Sequence, residues 1–99
     1  PYVEIGNNCI LWSGNHIGHH TKIRDNVFIA SHAVVSGAVE IGNNCFLGVN
    51  CTIRDNIKIA PYCLIGAGAV ILKPTKEKQV FIGPKSTAAD ISTDDLKNI

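Results

Sequence analysis

No stretch of this sequence approaches the ~18 consecutive apolar residues that a membrane-spanning helix needs, and no secretory leader is visible at its start. Those absences point to a cytosolic protein with no membrane partner. A formal net charge of +1 over 99 residues leaves no basic excess to attract nucleic acid or an acidic membrane surface. Methionine is missing altogether, even from the first position. Pro1-Tyr2-Val3-Glu4 fits the tail of a repeat unit described below, so a further segment is expected upstream. The four cysteines lack zinc-knuckle spacing, and no metal site is expected from them. Gly66-Ala67-Gly68 opens no helical pattern, which removes a dinucleotide-binding reading.

What the sequence does contain is a repeat. Ile5, Leu11, Ile17, Ile23, Ile29, Val35, Ile41, Leu47, Ile53, Ile59, Ile65 and Ile71 follow one another at a constant spacing of six, without insertion. Four residues after each comes a second column, Cys9, Asn15, Thr21, Val27, Ala33, Val39, Cys45, Cys51, Ile57, Cys63, Ala69 and Thr75, most of them small. One large and one small inward position per hexad is the signature of an all-β, parallel β-helix. Three hexads close one triangular coil, and coils stacked at strand spacing make a prism roughly 19 Å tall. All four cysteines fall on the small column, where a thiol acts as a compact buried hydrophobe.

Corners occupy the third and fourth positions of each hexad. Asn7-Asn8, Asp25-Asn26, Asn43-Asn44 and Asp55-Asn56 suit them, because Asn and Asp tolerate left-handed backbone and cap neighbouring backbone groups. Pro74 and the charged run from Lys73 to Lys78 are expected to end the regular repeat. The chain therefore divides into a β-helix domain over 1–76 and a C-terminal loop, strand and tail over 77–99. Val80-Phe81-Ile82-Gly83-Pro84 reads as a short strand and turn. Within the tail from Ser86 to Ile99, Thr93-Asp94-Asp95 resembles an N-cap with an acidic first turn.

Outward positions distinguish three faces. Ile10, Phe28, Phe46 and Leu64, with Trp12 beside them, make one face apolar outside as well as inside; it requires a cover. His16, Val34, Thr52 and Val70 make a mixed face, and Lys22, Arg24, Glu40 and Lys58 a wet one. Two adjoining sticky faces favour closed cyclic association, with a homotrimer the expected form. Cover by the C-terminal tail or by an upstream segment is the alternative.

Chemistry rests with the histidines. His19 and His20 share the corner between the mixed and wet faces, with Gly37 and Ala38 one coil above. Small residues over two imidazoles leave a hollow. A base beside an exposed Gly37 N–H is the minimum apparatus for acyl transfer, the base taking a proton and the donor steadying an oxyanion. Two solvated corner histidines are the alternative. His16, on the mixed face near that corner, is a candidate for acceptor or cofactor contact. His32 lies between the two sticky faces, near the expected trimer axis, and is read as a structural hydrogen-bonding group.

Ile17-Gly18-His19, Val35-Ser36-Gly37, Phe46-Leu47-Gly48-Val49-Asn50, Ile65-Gly66-Ala67-Gly68-Ala69-Val70 and Val80-Phe81-Ile82-Gly83-Pro84-Lys85, in that order, resemble the left-handed β-helix acetyltransferases. The nearest subgroup acylates nucleotide-linked amino sugars or sialic acid, and the resemblance extends almost from the first residue to Lys85. It supplies the left hand, which spacing alone does not. It implies a homotrimer that binds acetyl-coenzyme A between prisms and passes its acetyl group to an amine or hydroxyl of a sugar, without a metal. His19 would be the general base, His20 its catalytic neighbour, and Gly37 the donor to the thioester carbonyl. Gly48, Gly66, Ala67 and Gly68 would line the cofactor groove, with Lys73 or Lys85 meeting its phosphates. Two departures stand out: His20 occupies the place of an acidic residue that orients the base, and Phe28 replaces a second histidine found in some members. A trimeric assembly module without activity, and a zinc-dependent carbonic-anhydrase-like β-helix, are the other function classes.

Overall fold

A computed structural model describes residues 2–96. Thirteen two-residue parallel strands, β1 (Glu4–Ile5), β2 (Ile10–Leu11), β3 (His16–Ile17), β4 (Lys22–Ile23), β5 (Phe28–Ile29), β6 (Val34–Val35), β7 (Glu40–Ile41), β8 (Phe46–Leu47), β9 (Thr52–Ile53), β10 (Lys58–Ile59), β11 (Leu64–Ile65), β12 (Val70–Ile71) and β13 (Val80–Phe81), wind around one axis. They form three sheets, ordered β1-β4-β7-β10, β2-β5-β8-β11-β13 and β3-β6-β9-β12. Each of β1 to β9 pairs with the strand three later, as in Phe28 against Phe46 and Val35 against Ile53, and β11 pairs with β13. The fold is the all-β parallel β-helix expected from the hexads.

The register dictates the core. Ile29, Val35, Ile41, Leu47, Ile53, Ile59 and Ile65 are fully buried, and Thr21, Val27, Ala33, Val39, Cys45, Cys51 and Cys63 seal the small column. Each large aliphatic removed from water contributes about 1.5–3 kcal/mol. Coils bury their apolar sides against one another, so the first coil is different: Ile5 is 51% exposed against 2% for Ile23 one coil above.

The corners share a second regularity. Asn8, Gly14, His20, Asn26, His32, Ala38, Asn44, Asn50, Asn56, Tyr62 and Gly68 all have φ between 57° and 74°. The fourth hexad position is thus left-handed from Asn8 to Gly68, which explains its Asn content.

The charged run does not simply end the helix. Thr75 N donates to Lys58 O, and Lys78, with φ of 64°, donates to Pro61 O. Residues 73–79 therefore wrap a last coil, and β13 joins the apolar sheet, with Val80 against Leu64. That coil is two residues shorter than the others, which pair Leu64 with Phe46. Pro74 interrupts the hexad spacing without stopping the winding.

In the tail the single turn of 3₁₀ helix at Thr93–Asp95 is capped by Ser92, not Thr93. Ser92 Oγ accepts from Asp94 N and Asp95 Oδ2 accepts from Ser92 N, closing a capping box that Thr93, lying one residue later, does not form. The last residues of the expected helical tail, 97–99, lie outside the described residues.

Candidate active site

Three corners run up the prism. Asn7, Asp25, Asn43 and Pro61 stack on the first, Ser13, Ser31, Val49 and Ala67 on the second, and His19, Gly37, Asp55 and Lys73 on the third. Gly37 is the sole glycine at a third hexad position. The reason is steric. A Cβ at Gly37 would lie 2.7 Å from His19 Nε2, 2.9 Å from Cε1 and 3.2 Å from Cδ2. These near-equal distances put the place a Cβ would take over the face of the imidazole beside Nε2, so the in-plane direction at Nε2 is not covered by Gly37. The hollow expected above His19 is real, and the His19 ring fills it.

Backbone contacts pin this corner from several directions. Gly18 N donates to Val35 O, Ala38 N to His19 O at 2.7 Å and Asn56 N to Gly37 O. Inside, the buried Thr21 hydroxyl donates to Ser36 O. Gly18 is required as well, because a Cβ there would stand 2.5 Å from Gly37 N. Neither His19 N nor Gly37 N donates to any acceptor among the described residues. Asp55, above Gly37, is engaged sideways, by Asn56 Nδ2 at 3.0 Å and by Arg54 at 4.0 Å.

The second histidine is in contact with the first. His19 Nδ1 and His20 Nδ1 are 3.0 Å apart, and the two rings meet edge to face at 85°. Tyr2, one coil below His20, lies beside its ring with centroids 5.7 Å apart and planes tilted by 49°. Tyr2 is absent from the sequence-based candidates, although stepping back one coil from His20 reaches it.

The other candidates are distributed over the prism. His16 is exposed on β3, pairing Val34. His32 occupies a left-handed corner position and lies directly over Gly14, where a Cβ would collide with its ring. Lys73 shares the His19 corner three coils up, roughly 14 Å away at strand spacing, and borders a cavity of about 360 Å³ with Val70, Leu72, Pro74, Gln79 and Phe81. Lys85 is exposed in the tail.

Gly48, Gly66, Ala67 and Gly68 lie on the second corner, with the mixed sheet between them and His19. Within one chain they are not part of the histidine site. Two of these glycines also have a packing reason to be glycine: a Cβ at Gly48 would be 2.7 Å from Ala67 N, and one at Gly66 would be 2.8 Å from Phe81 O.

The thiols take no part. Burial holds Cys45 above its ordinary range and pushes Cys51 up to about 11, so neither supplies a thiolate near neutrality. No group of three or more potential metal ligands gathers among the described residues. No helix there is long and apolar enough to cross a membrane.

The wet face is tied by Arg24–Glu40 and Lys58–Glu40 pairs. On the apolar face, Phe28 and Phe46 stack at 5.2 Å and Trp12 leans on Phe28 at 5.8 Å. Ile10, Phe46, Leu64 and Val80 remain exposed beside them.

A crystal structure of a hexapeptide transferase family protein from Anaplasma phagocytophilum is similar in fold, with a TM-score of 0.51 and 21% identity, over 82% of this chain and 59% of that one. This chain thus spans little more than half the length of that protein. No curated protein matches it. The bacterial transferase hexapeptide family, described by six repeats, matches twice, over residues 2–37 and again over 38–73. Twelve hexads in unbroken register and the coils they build place the chain in that left-handed β-helix family of transferases.

Proposed function

We propose that this chain is an acetyl-coenzyme A-dependent acetyltransferase whose acceptor is an amine or hydroxyl of a sugar, of the nucleotide-linked amino sugar class. Family membership supports acyl transfer in general terms. The observation that carries the finer reading is the His19–Gly37 stack, an imidazole whose Nε2 Gly37 leaves open in the ring plane, set against the one third-position glycine of the prism. In this reading Nε2 of His19 takes the proton from the acceptor as its nitrogen or oxygen attacks the thioester carbonyl. The Gly37 N–H steadies the oxyanion. Collapse then breaks the carbon–sulfur bond, and the thiolate leaves and is reprotonated.

The working form is a homotrimer. Three prisms that bury the Ile10–Phe28–Phe46–Leu64 face against the neighbour's mixed face bring each His19 corner beside an adjoining subunit, with acetyl-coenzyme A in the groove between them. The neighbour then supplies what one chain keeps apart, the corner of Gly48, Gly66, Ala67 and Gly68. Lys73, on the His19 corner, meets the cofactor phosphates from above; Lys85 in the tail is the other candidate. His16 faces the acceptor.

Thiol release from acetyl-coenzyme A with a panel of nucleotide-linked amino sugars tests the activity. His19→Ala should lower turnover by ~10²–10⁴ while coenzyme A binding by calorimetry stays close to wild type. Turnover retained within a factor of about three, or abolished instead by His16→Ala or His32→Ala, moves the site to another corner. Release with no acceptor in the panel favours the assembly-module reading. For the trimer, Phe46→Asp buries an unpaired carboxylate at a cost of several kcal/mol. Light scattering should show the variant dissociated, and a variant of wild-type mass would reject this face as the contact.

A further inference from the structure

Deepening the proposed role of His19, we infer that His20 is a positioning residue whose Nδ1 accepts the Nδ1–H of His19 and thereby leaves Nε2 of His19 free to take the acceptor's proton. The 3.0 Å separation of the two Nδ1 atoms is a hydrogen-bond distance between nitrogens. A neutral imidazole carries one N–H, on either nitrogen. A contact this short accommodates one hydrogen between the two atoms and no second. If that hydrogen belongs to His19, its Nε2 holds a lone pair; if it belongs to His20, Nε2 of His19 carries a hydrogen and is no base.

Local structure holds His20 to this task. Its φ of 59° fixes its Cβ at the left-handed corner, and Ala38 N donating to His19 O closes the peptide between the histidines against the coil above. Tyr2, one coil below, lies beside the His20 ring with centroids 5.7 Å apart. The His19 ring lies in the space that a Cβ on Gly37 would take, with its face toward that position. The two imidazoles thus meet edge to face, with Gly37 one coil above the first and Tyr2 one coil below the second. When Nε2 gains the acceptor's proton, the resulting imidazolium of His19 keeps its Nδ1–H on His20 Nδ1, a charge-assisted hydrogen bond to a neutral partner. The proton count balances: His20 gains and loses none.

Two substitutions separate this role from turn geometry. Ala is already accommodated in the same left-handed position one coil above, at Ala38, and Asn at Asn8, Asn26, Asn44 and Asn56. His20→Ala removes the acceptor. His20→Asn restores one, because its Oδ1 is as many bonds from the backbone as the imidazole Nδ1. Ring ¹⁵N–¹H correlation spectra of histidine-labelled protein, with His19 assigned by its loss in His19→Ala, read the tautomer directly. Wild type and His20→Asn should show His19 protonated at Nδ1, whereas His20→Ala should show the hydrogen moved wholly or partly to Nε2. In turnover, His20→Ala should lower kcat roughly 10-fold or more, as losing an orienting partner does for ligand histidines, with KM for acetyl-coenzyme A unchanged and with recovery in His20→Asn. A wild-type His19 carrying its hydrogen on Nε2, or a tautomer unchanged in His20→Ala, overturns the inference. The spectra need no substrate, so this failure is distinct from that of the proposed function, which His19→Ala turnover decides.

Discussion

The asparagine corner and the histidine corner are built on one backbone and reach opposite outcomes. Both place a left-handed residue at the fourth hexad position, Asn8, Asn26 and Asn44 on one, His20, Ala38 and Asn56 on the other. On the asparagine corner each coil reaches down to the one below. Asp25 Oδ1 accepts from Asn7 N and Asn43 Oδ1 from Asp25 N, both at 2.8 Å, and Asn8 Nδ2 donates to Asn26 Oδ1 at the same distance. On the histidine corner Gly37 has no side chain with which to continue that ladder. His19 N and Gly37 N are left without acceptors among the described residues, and an imidazole turns up into the space. The proposed site lies where the ladder is broken, since a polar group satisfied within the wall is unavailable to a substrate.

The comparison is broken most severely by filling the gap. Gly37→Ala puts a methyl 2.7 Å from His19 Nε2, forces the ring out of the corner, and should lower turnover by ~10², the usual cost of misplacing a catalytic group by about 1 Å. The fold should persist, because Gly37 is not in the left-handed region. An unchanged melting temperature with lost activity is the expected pair of measurements; full activity would show that the stack is incidental.

A smaller effect sharpens the other side. Asn43→Ala takes the acceptor from Asp25 N and should cost about 0.5–1.5 kcal/mol, toward the low end because the corner is wet. Chemical denaturation measures it. Turnover should stay at the wild-type value, and a loss of activity equal to that of Gly37→Ala would erase the distinction between the corners.

Much of this molecule was legible in the linear chain because a constant hexad leaves the register no freedom. Stepping by six named the inward columns, and stepping by three hexads put Gly37 over His19, Lys73 high on the same corner and Phe46 against Phe28. The same register assigns the thiols to the small inward column, and burial keeps those of Cys45 and Cys51 protonated. The regular spacing ends at Pro74 and a short strand follows at Val80–Phe81, as expected; what the spacing does not reveal is that Lys78 supplies one more left-handed corner and that the strand continues the apolar sheet in parallel. Ser92 rather than Thr93 caps the tail because the reciprocal bond with Asp95 decides, and neither residue type nor pattern reveals which oxygen is in reach.

The sequence by itself determined the coil, its faces and the stacking order of its corners, since these follow from which side of an extended backbone each residue occupies. Only the tertiary structure decided which way each corner side chain turns. Asp25 turns down onto Asn7 N, whereas His19 turns up beneath Gly37. Whether two adjacent imidazoles touch through Nδ1, and whether Tyr2 closes on the second, depends on rotamers set by neighbours one coil away. Those neighbours are eighteen residues off along the chain and one strand spacing off in space.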